Sequence, residues 1–451
     1  MRGWVVAALV LLLGGAAPAA WADGGPVGGD LHVAQTLGDR ELTVVVRRVD
    51  GAPAPVSVDV VGHVGTAAGE LRLRVVPAGG RVFGETAVRV GGPGATSATL
   101  SVDRFGPWEL ELDDGVNTAR IPFTVPERVT PAWERFTYGG FVAAGLFLLL
   151  ALGFALRTGV GRGTVLAVAG LVVAVTVAVT AALLSSSVPV AAPPLDGSRP
   201  PVNMAVRAVD ARAGAPVALA VDLTDASTGR PVDDLRVQHA AFVHLVLVSP
   251  SGVLTHVHPV RVRPGHYAAT FTPGEGGRFG LSAELSRAGA GVQEVRATLD
   301  VAGDPAVSTV VPGVGPRQAD GATVDVSSGP LVAGRAVTVA ADFGGPSDLQ
   351  PWLGMRGHLI IVGPLPPDAP VGAAAVAAPV WAHAHAMVPP TPGAVGGEPD
   401  ETVAAYDPKV DFTFTFPQPG RYRLWFQAER GYRVITAPAV FDVPADPGGA
   451  P

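Results

Sequence analysis

Six of the ten histidines in this 451-residue chain fall into two copies of one pattern. The first copy has Asp234-Leu235, then His244-Leu-Val-Leu-Val248, then the pair His256 and His258. The second has Asp348-Leu349, then His358-Leu-Ile-Ile-Val362, then His383 and His385. Imidazole is the commonest protein metal ligand and also a base that titrates near neutrality. A repeated three-histidine set without thiolate suits Cu(II) or Zn(II), with carboxylate or water completing the shell. Met387 lies two residues after His385, and a thioether on that strand face adds weight for copper. Met355 is a further soft ligand, although methionine more often fills gaps in a core. Structural histidines, pH sensing and catalysis stay open beside metal binding, because common descent also repeats structural residues.

For the three rings to meet, two strands must hold them in one register. His244 begins a segment whose period of two puts Val246 and Val248 on its own face, and His256 and His258 share a face of the next segment. Pro250-Ser251-Gly252 suits a three-residue hairpin loop with glycine in the left-handed conformation. Ser249 then pairs with Val253, His256 stands opposite Val246, and His244 stands opposite His258. A two-residue loop would turn His244 away. His32, His63 and His239 lack the repeated spacing. His239 is replaced by Leu353 in the second copy and reads as incidental, while His266 is a weak fourth ligand.

Around these segments the sequence reads as mainly β: three immunoglobulin-like β-sandwich domains plus a two-helix transmembrane hairpin. Residues 1–22 have the layout of a signal peptide, with Ala20-Trp21-Ala22 as the cleavage site. Residues 23–127 alternate in the manner of a sandwich, as in Leu71-Arg-Leu-Arg-Val75. Spans 136–156 and 163–184 are uncharged and meet the requirement of about 20 apolar residues. The loop 157–162 between them carries Arg157 and Arg162, which places it in the cytoplasm and both flanks outside. A Pro/Ser-rich linker (185–202) leads to repeat 1 (203–301), a second linker (302–321), repeat 2 (322–443) and a short tail (444–451). Repeat 2 carries two insertions, Gly363–Pro379 and Pro389–Glu401, which fit surface loops.

Composition narrows the function. The net charge is −7 with no basic cluster, and Lys409 is the single lysine, so nucleic acid is an unsuited partner. Cysteine is absent, which excludes disulfides, thiolate metal sites and cysteine nucleophiles. The chain has no Gly-x-Ser-x-Gly elbow, His-Glu-x-x-His or phosphate loop, so it is read as not an enzyme. The two spans contain no Asp, Glu, Lys, Arg or His and read as an anchor rather than a transporter.

Leu349-Gln-Pro-Trp-Leu-Gly-Met-Arg-Gly-His-Leu359, then His383-Ala-His385, then Gly420-Arg-Tyr-Arg-Leu-Trp-Phe-Gln427 resembles the YtkA-like and copper-resistance (CopC-like) domains of bacterial envelope proteins. The resemblance implies metal handling in the envelope for about half of the chain. The first copy departs from the motif at Val237 and Ala241, where the second has Pro351 and Met355. The expectation is a membrane-anchored, extracytoplasmic protein that binds or buffers copper (zinc as alternative). Its ligands would be His244, His256, His258, His358, His383, His385 and Met387, and its partners the membrane and another envelope or metal-transport protein. The alternative is a metal-free scaffold or adhesion module.

Overall fold

A computed structural model describes residues 29–127 (except 48 and 50), 132–184, 200–389 and 398–448. The signal peptide, most of the 185–202 linker and part of the second insertion lie outside the described residues. Three β-sandwiches form one compact unit, and residues 126–196 form another.

The first sandwich packs two four-stranded antiparallel sheets. One runs in the order Leu31–Leu37, Arg40–Val46, Ala54–Gly62, Gly94–Val102; the other runs Gly84–Val90, Gly69–Pro77, Gly106–Asp113, Thr118–Val125. Alternation decides the faces. Leu71, Leu73 and Val75 are fully buried with Trp108, while Arg74 between them pairs outside with Glu85 and Asp113.

Each repeat pairs a four-stranded sheet with a five-stranded one, and the five-stranded sheets correspond strand for strand. In repeat 1, Gly277–Arg287 pairs along one side with Gly291–Val301 and along the other with Val243–Val248 and then Leu235–Arg236, and Leu254–Val257 forms the edge beyond Val243–Val248. In repeat 2, Gly420–Arg430 pairs along one side with Arg433–Val443 and along the other with Met355–Leu365 and then Leu349–Gln350, with Val380–Met387 at the edge. The His-x-His segment is therefore an edge strand, or adjoins one, in both sheets.

All six residues of Val243–Val248 are buried, odd and even alike. Leu245 and Leu247 enter the core of their own sandwich. Val246 and Val248, on the histidine face, pack instead with Ile360, Val362 and Trp425 of repeat 2. A strand without polar alternation needs cover on both faces, and here the second repeat supplies it.

The insertion Gly363–Pro379 is not a surface loop. It forms the helix Val371–Ala377, wedged against repeat 1, with Val371 N donating to Pro250 O at 2.8 Å. A Cβ on Gly372 would meet Val248 O at 2.5 Å and Arg278 O at 2.6 Å, so glycine permits this approach. Arg296 of repeat 1 caps the other end by donating to Ala378 O at 2.5 Å.

The second unit is a hairpin of helices Ala132–Thr158 and Arg162–Leu184, both long and apolar enough to cross a membrane. Small residues line their contact: Ala144, Ala151, Ala167, Ala174 and Ala178 are buried, and a Cβ on Gly140 would meet Ala178 Cβ at 2.8 Å. Leucines and valines such as Leu149 and Leu166 point outward. This distribution suits helices packed through small residues in lipid.

Candidate metal centre

The hairpin of repeat 1 takes the register that its turn chemistry predicts. Ser249 N donates to Val253 O at 2.9 Å, Gly252 has φ +88°, and Val246 stands opposite His256. His244, His256 and His258 therefore emerge on one face, and a ring nitrogen from each lies within 4.8 Å of the other two.

Each ring is fixed by an oxygen on its far side. His244 Nε2 donates to Gln238 O at 2.9 Å, His256 Nδ1 to Gln427 Oε1 at 3.1 Å, and His258 Nδ1 to Glu41 Oε1 at 2.7 Å. The remaining nitrogens, His244 Nδ1, His256 Nε2 and His258 Nε2, are shielded from solvent and have no hydrogen-bond partner among the described residues. Three oriented lone pairs thus face a common space.

Repeat 2 reproduces the arrangement. His358 stands opposite His385 and Ile360 opposite His383, and these three histidines also bring ring nitrogens within 4.8 Å of one another. His358 Nε2 donates to Trp352 O at 3.0 Å, as His244 does to the equivalent Gln238. His358 Nδ1 lies 3.0 Å from His383 Nε2, and His385 Nε2 has no hydrogen-bond partner among the described residues. Two ligands about 2.0 Å from one metal stand about 2.8–3.3 Å apart for angles between square and tetrahedral, so the 3.0 Å spacing fits shared coordination.

The trios are not separate. His383 has its ring centroid 5.3 Å from His244 and 5.4 Å from His256 as well as 5.1 Å from His358. His239 lies 3.9 Å from His385. Far from incidental, it belongs to the cluster. Its φ of +46° and the +55° of Leu353 identify one left-handed turn in both repeats, so its ring is delivered by a conserved backbone shape. Trp352 closes the space, with its ring 5.4 Å from His256, 5.9 Å from His258 and 5.0 Å from His358.

Burial keeps five of these imidazoles neutral. Desolvation, aided by His258, depresses His256 to about 3, and desolvation with His239 does the same to His385. His244, His358 and His383 fall well below the usual imidazole range for the same reason. Neutral imidazole is the form that ligates metal.

The other sequence candidates lie elsewhere. Met387 ends its strand opposite Met355 and is 63% exposed, outside both buried trios, whereas Met355 is buried. His266 sits on the four-stranded sheet, hydrogen-bonded to Asp222. His32 and His63 belong to the first sandwich, where His63 Nδ1 meets Glu429 at 2.5 Å. Sequence reasoning missed the groups that aim the rings: Glu41 lies over 200 positions from His258, and no local signal couples them. Gln427 was visible only as part of the quoted Arg-Leu-Trp-Phe-Gln run.

A family model described as a domain of unknown function (DUF8832) matches residues 317–445, so the copper-resistance resemblance rests on the motif residues alone. Comparison with curated proteins gives no match. Solved structures match over most of the chain at low identity. A tetra-tandem repeat from the extending region of a large adhesion protein is 10% identical, with 92% of this chain and 74% of that one covered and a TM-score of 0.17. The FN1–FN3 domains of chicken CNTN1 are 8% identical, with 92% and 99% covered and a TM-score of 0.16. Native E. coli alpha-2-macroglobulin is 11% identical with a TM-score of 0.18; 90% of this chain is covered, and it spans 26% of that protein. These likenesses decide nothing about function.

Proposed function

We propose that this chain is a membrane-anchored extracytoplasmic protein that binds a transition metal, copper in preference to zinc, through its two histidine trios. One observation carries the reading. In the first trio three buried ring nitrogens lack any partner among the described residues, while the opposite nitrogen of each ring is held by an oxygen. Histidines that serve only packing satisfy both nitrogens, because a buried polar atom without a partner costs about 1–3 kcal/mol. Metal-ligating histidines show the observed pattern, one nitrogen to the metal and the other to a carbonyl or carboxylate. The two apolar helices would tether the site, and the arginines of their connecting loop would orient it outward.

The test uses the full chain in detergent, because the first sandwich supplies Glu41. Titration with copper and zinc is compared with a His256→Ala/His258→Ala variant. Stoichiometric binding that the variant weakens supports the reading.

A metal-free envelope scaffold or adhesion module is the second reading, favoured by the serial β-sandwich architecture itself. Equal, weak binding by the chain and its variant would leave that reading in place.

A further inference from the structure

Resting on the metal-binding reading, the geometry points to one dinuclear chamber built between the repeats, which takes two monovalent copper ions, one per trio. Four observations lead there.

The ligating nitrogens form two groups of three and not one group of six, so each repeat offers its own coordination point. The groups nevertheless share one interior, since the His383 ring contacts His244 and His256 of the other repeat and His358 and His385 of its own. Support is exchanged between the repeats. Gln427 of repeat 2 holds His256 of repeat 1, and at the equivalent strand position Glu284 of repeat 1 stands 3.6 Å from His383 Nδ1 of repeat 2. Gln427 pairs opposite His358 just as Glu284 pairs opposite His244. Each trio therefore has one ring supported from the other repeat.

Charge then selects the ion. Neutral imidazoles contribute no negative charge, and both groups consist of histidines alone. Among the described residues one carboxylate touches each trio: Glu41 at His258 and Glu284 at His383. Two divalent ions would leave a net charge of about +2 buried in the interior, whereas two monovalent ions are balanced. Uncompensated buried charge is costly. Among ions that imidazole binds, Cu(I) is monovalent and accepts three nitrogens without a water.

The experiment loads the detergent-solubilised full chain anaerobically with Cu(I) delivered as its acetonitrile complex, against bicinchoninate as competitor. We expect two Cu(I) per chain, and one per chain in His256→Ala/His258→Ala and in His383→Ala/His385→Ala. Ferricyanide then removes one electron from each copper. The wild-type chain should give an electron paramagnetic resonance intensity well below two spins, because neighbouring Cu(II) ions couple, and each variant should give close to one spin. The wild-type spin count needs no variant and stands even where a variant misfolds. One copper per wild-type chain, or two full uncoupled spins, overturns the shared chamber. Stoichiometric zinc binding without Cu(I) binding overturns the choice of ion yet leaves a metal protein. Failure to bind any metal removes both readings.

Discussion

Gln427, in the central strand of repeat 2, accepts a hydrogen bond from Nδ1 of His256 in repeat 1 at 3.1 Å, and its own Nε2 is tied to Thr436 at 3.0 Å. The amide is thereby fixed as an acceptor toward the ring, and His256 presents Nε2 to the chamber.

Loss of that acceptor should act across the repeat boundary. Gln427→Leu is expected to weaken metal binding by the first trio about 10–100-fold, the usual penalty for removing an orienting partner of a ligating histidine. Gln427→Glu, which keeps an acceptor oxygen, should retain most of the affinity. Competition titration in the His383→Ala/His385→Ala background reads the first trio alone. An unchanged affinity in Gln427→Leu would show that the ring needs no such support.

Glu41 reaches the same trio from the first sandwich. Its Oε1 holds His258 Nδ1 at 2.7 Å, and its Oε2 accepts from Thr36 Oγ1 at 2.6 Å. Thr36 Oγ1 in turn accepts from the backbone N of His258 at 2.8 Å. Glu41→Ala removes both the orienting oxygen and one of the balancing charges, so first-trio affinity should fall more than for Gln427→Leu. The second trio should keep its affinity. Parallel titrations of Glu41→Ala and Gln427→Leu in the same background establish the order.

Much of this organisation was legible in local sequence. The left-handed glycine after Pro250-Ser251 fixed the hairpin register, and the two apolar spans announced the helical hairpin. What sequence did not yield was the meeting of the two trios. The runs His244–Val248 and His358–Val362 carry apolar residues on both faces, which signals cover on both sides, but not which surface provides it. His239 carries no repeat signal, because Leu353 stands in its place, although a backbone turn kept in both repeats can carry a histidine of the cluster in one and a core leucine in the other. The insertion 363–379 has the composition of a loop, and its helix exists because repeat 1 receives it; a seven-residue helix is not stable alone.

That wedge gives a stability prediction. Gly372 lies so near Val248 O and Arg278 O that any Cβ collides with backbone. Gly372→Val should force the helix off repeat 1, loosening the apolar contact of Val246 and Val248 with Ile360 and Trp425. A cost of about 1–3 kcal/mol is expected, the range for overpacking, with a larger amplitude of hydrogen exchange in strands 243–248 and 355–365. Exchange unchanged in both strands would contradict the wedge role.

A second buried cluster sets the response to alkali. His63 lies between the first sandwich and repeat 2, with Nδ1 2.5 Å from Glu429, Nε2 3.9 Å from Glu401 and Thr43 Oγ1 at 3.0 Å. Burial opposes its charge, but the bond to Glu429 and the fields of Glu429, Glu401 and Glu41 outweigh burial and raise it to about 9. The folded chain therefore holds a proton that the unfolded chain releases near pH 6.5. Its stabilising contribution is fully present below pH 6.5 and is lost as pH rises through about 9. Burial, reinforced by Glu429, likewise raises Glu401 to about 7, which adds loss of the same sign between about pH 4.5 and 7. His63→Gln removes the imidazole and its charge. The difference in Tm between wild type and His63→Gln should be largest below pH 6.5 and shrink steadily up to pH 9. A difference that stays constant over that range would mean that His63 is held neutral and contributes through packing alone.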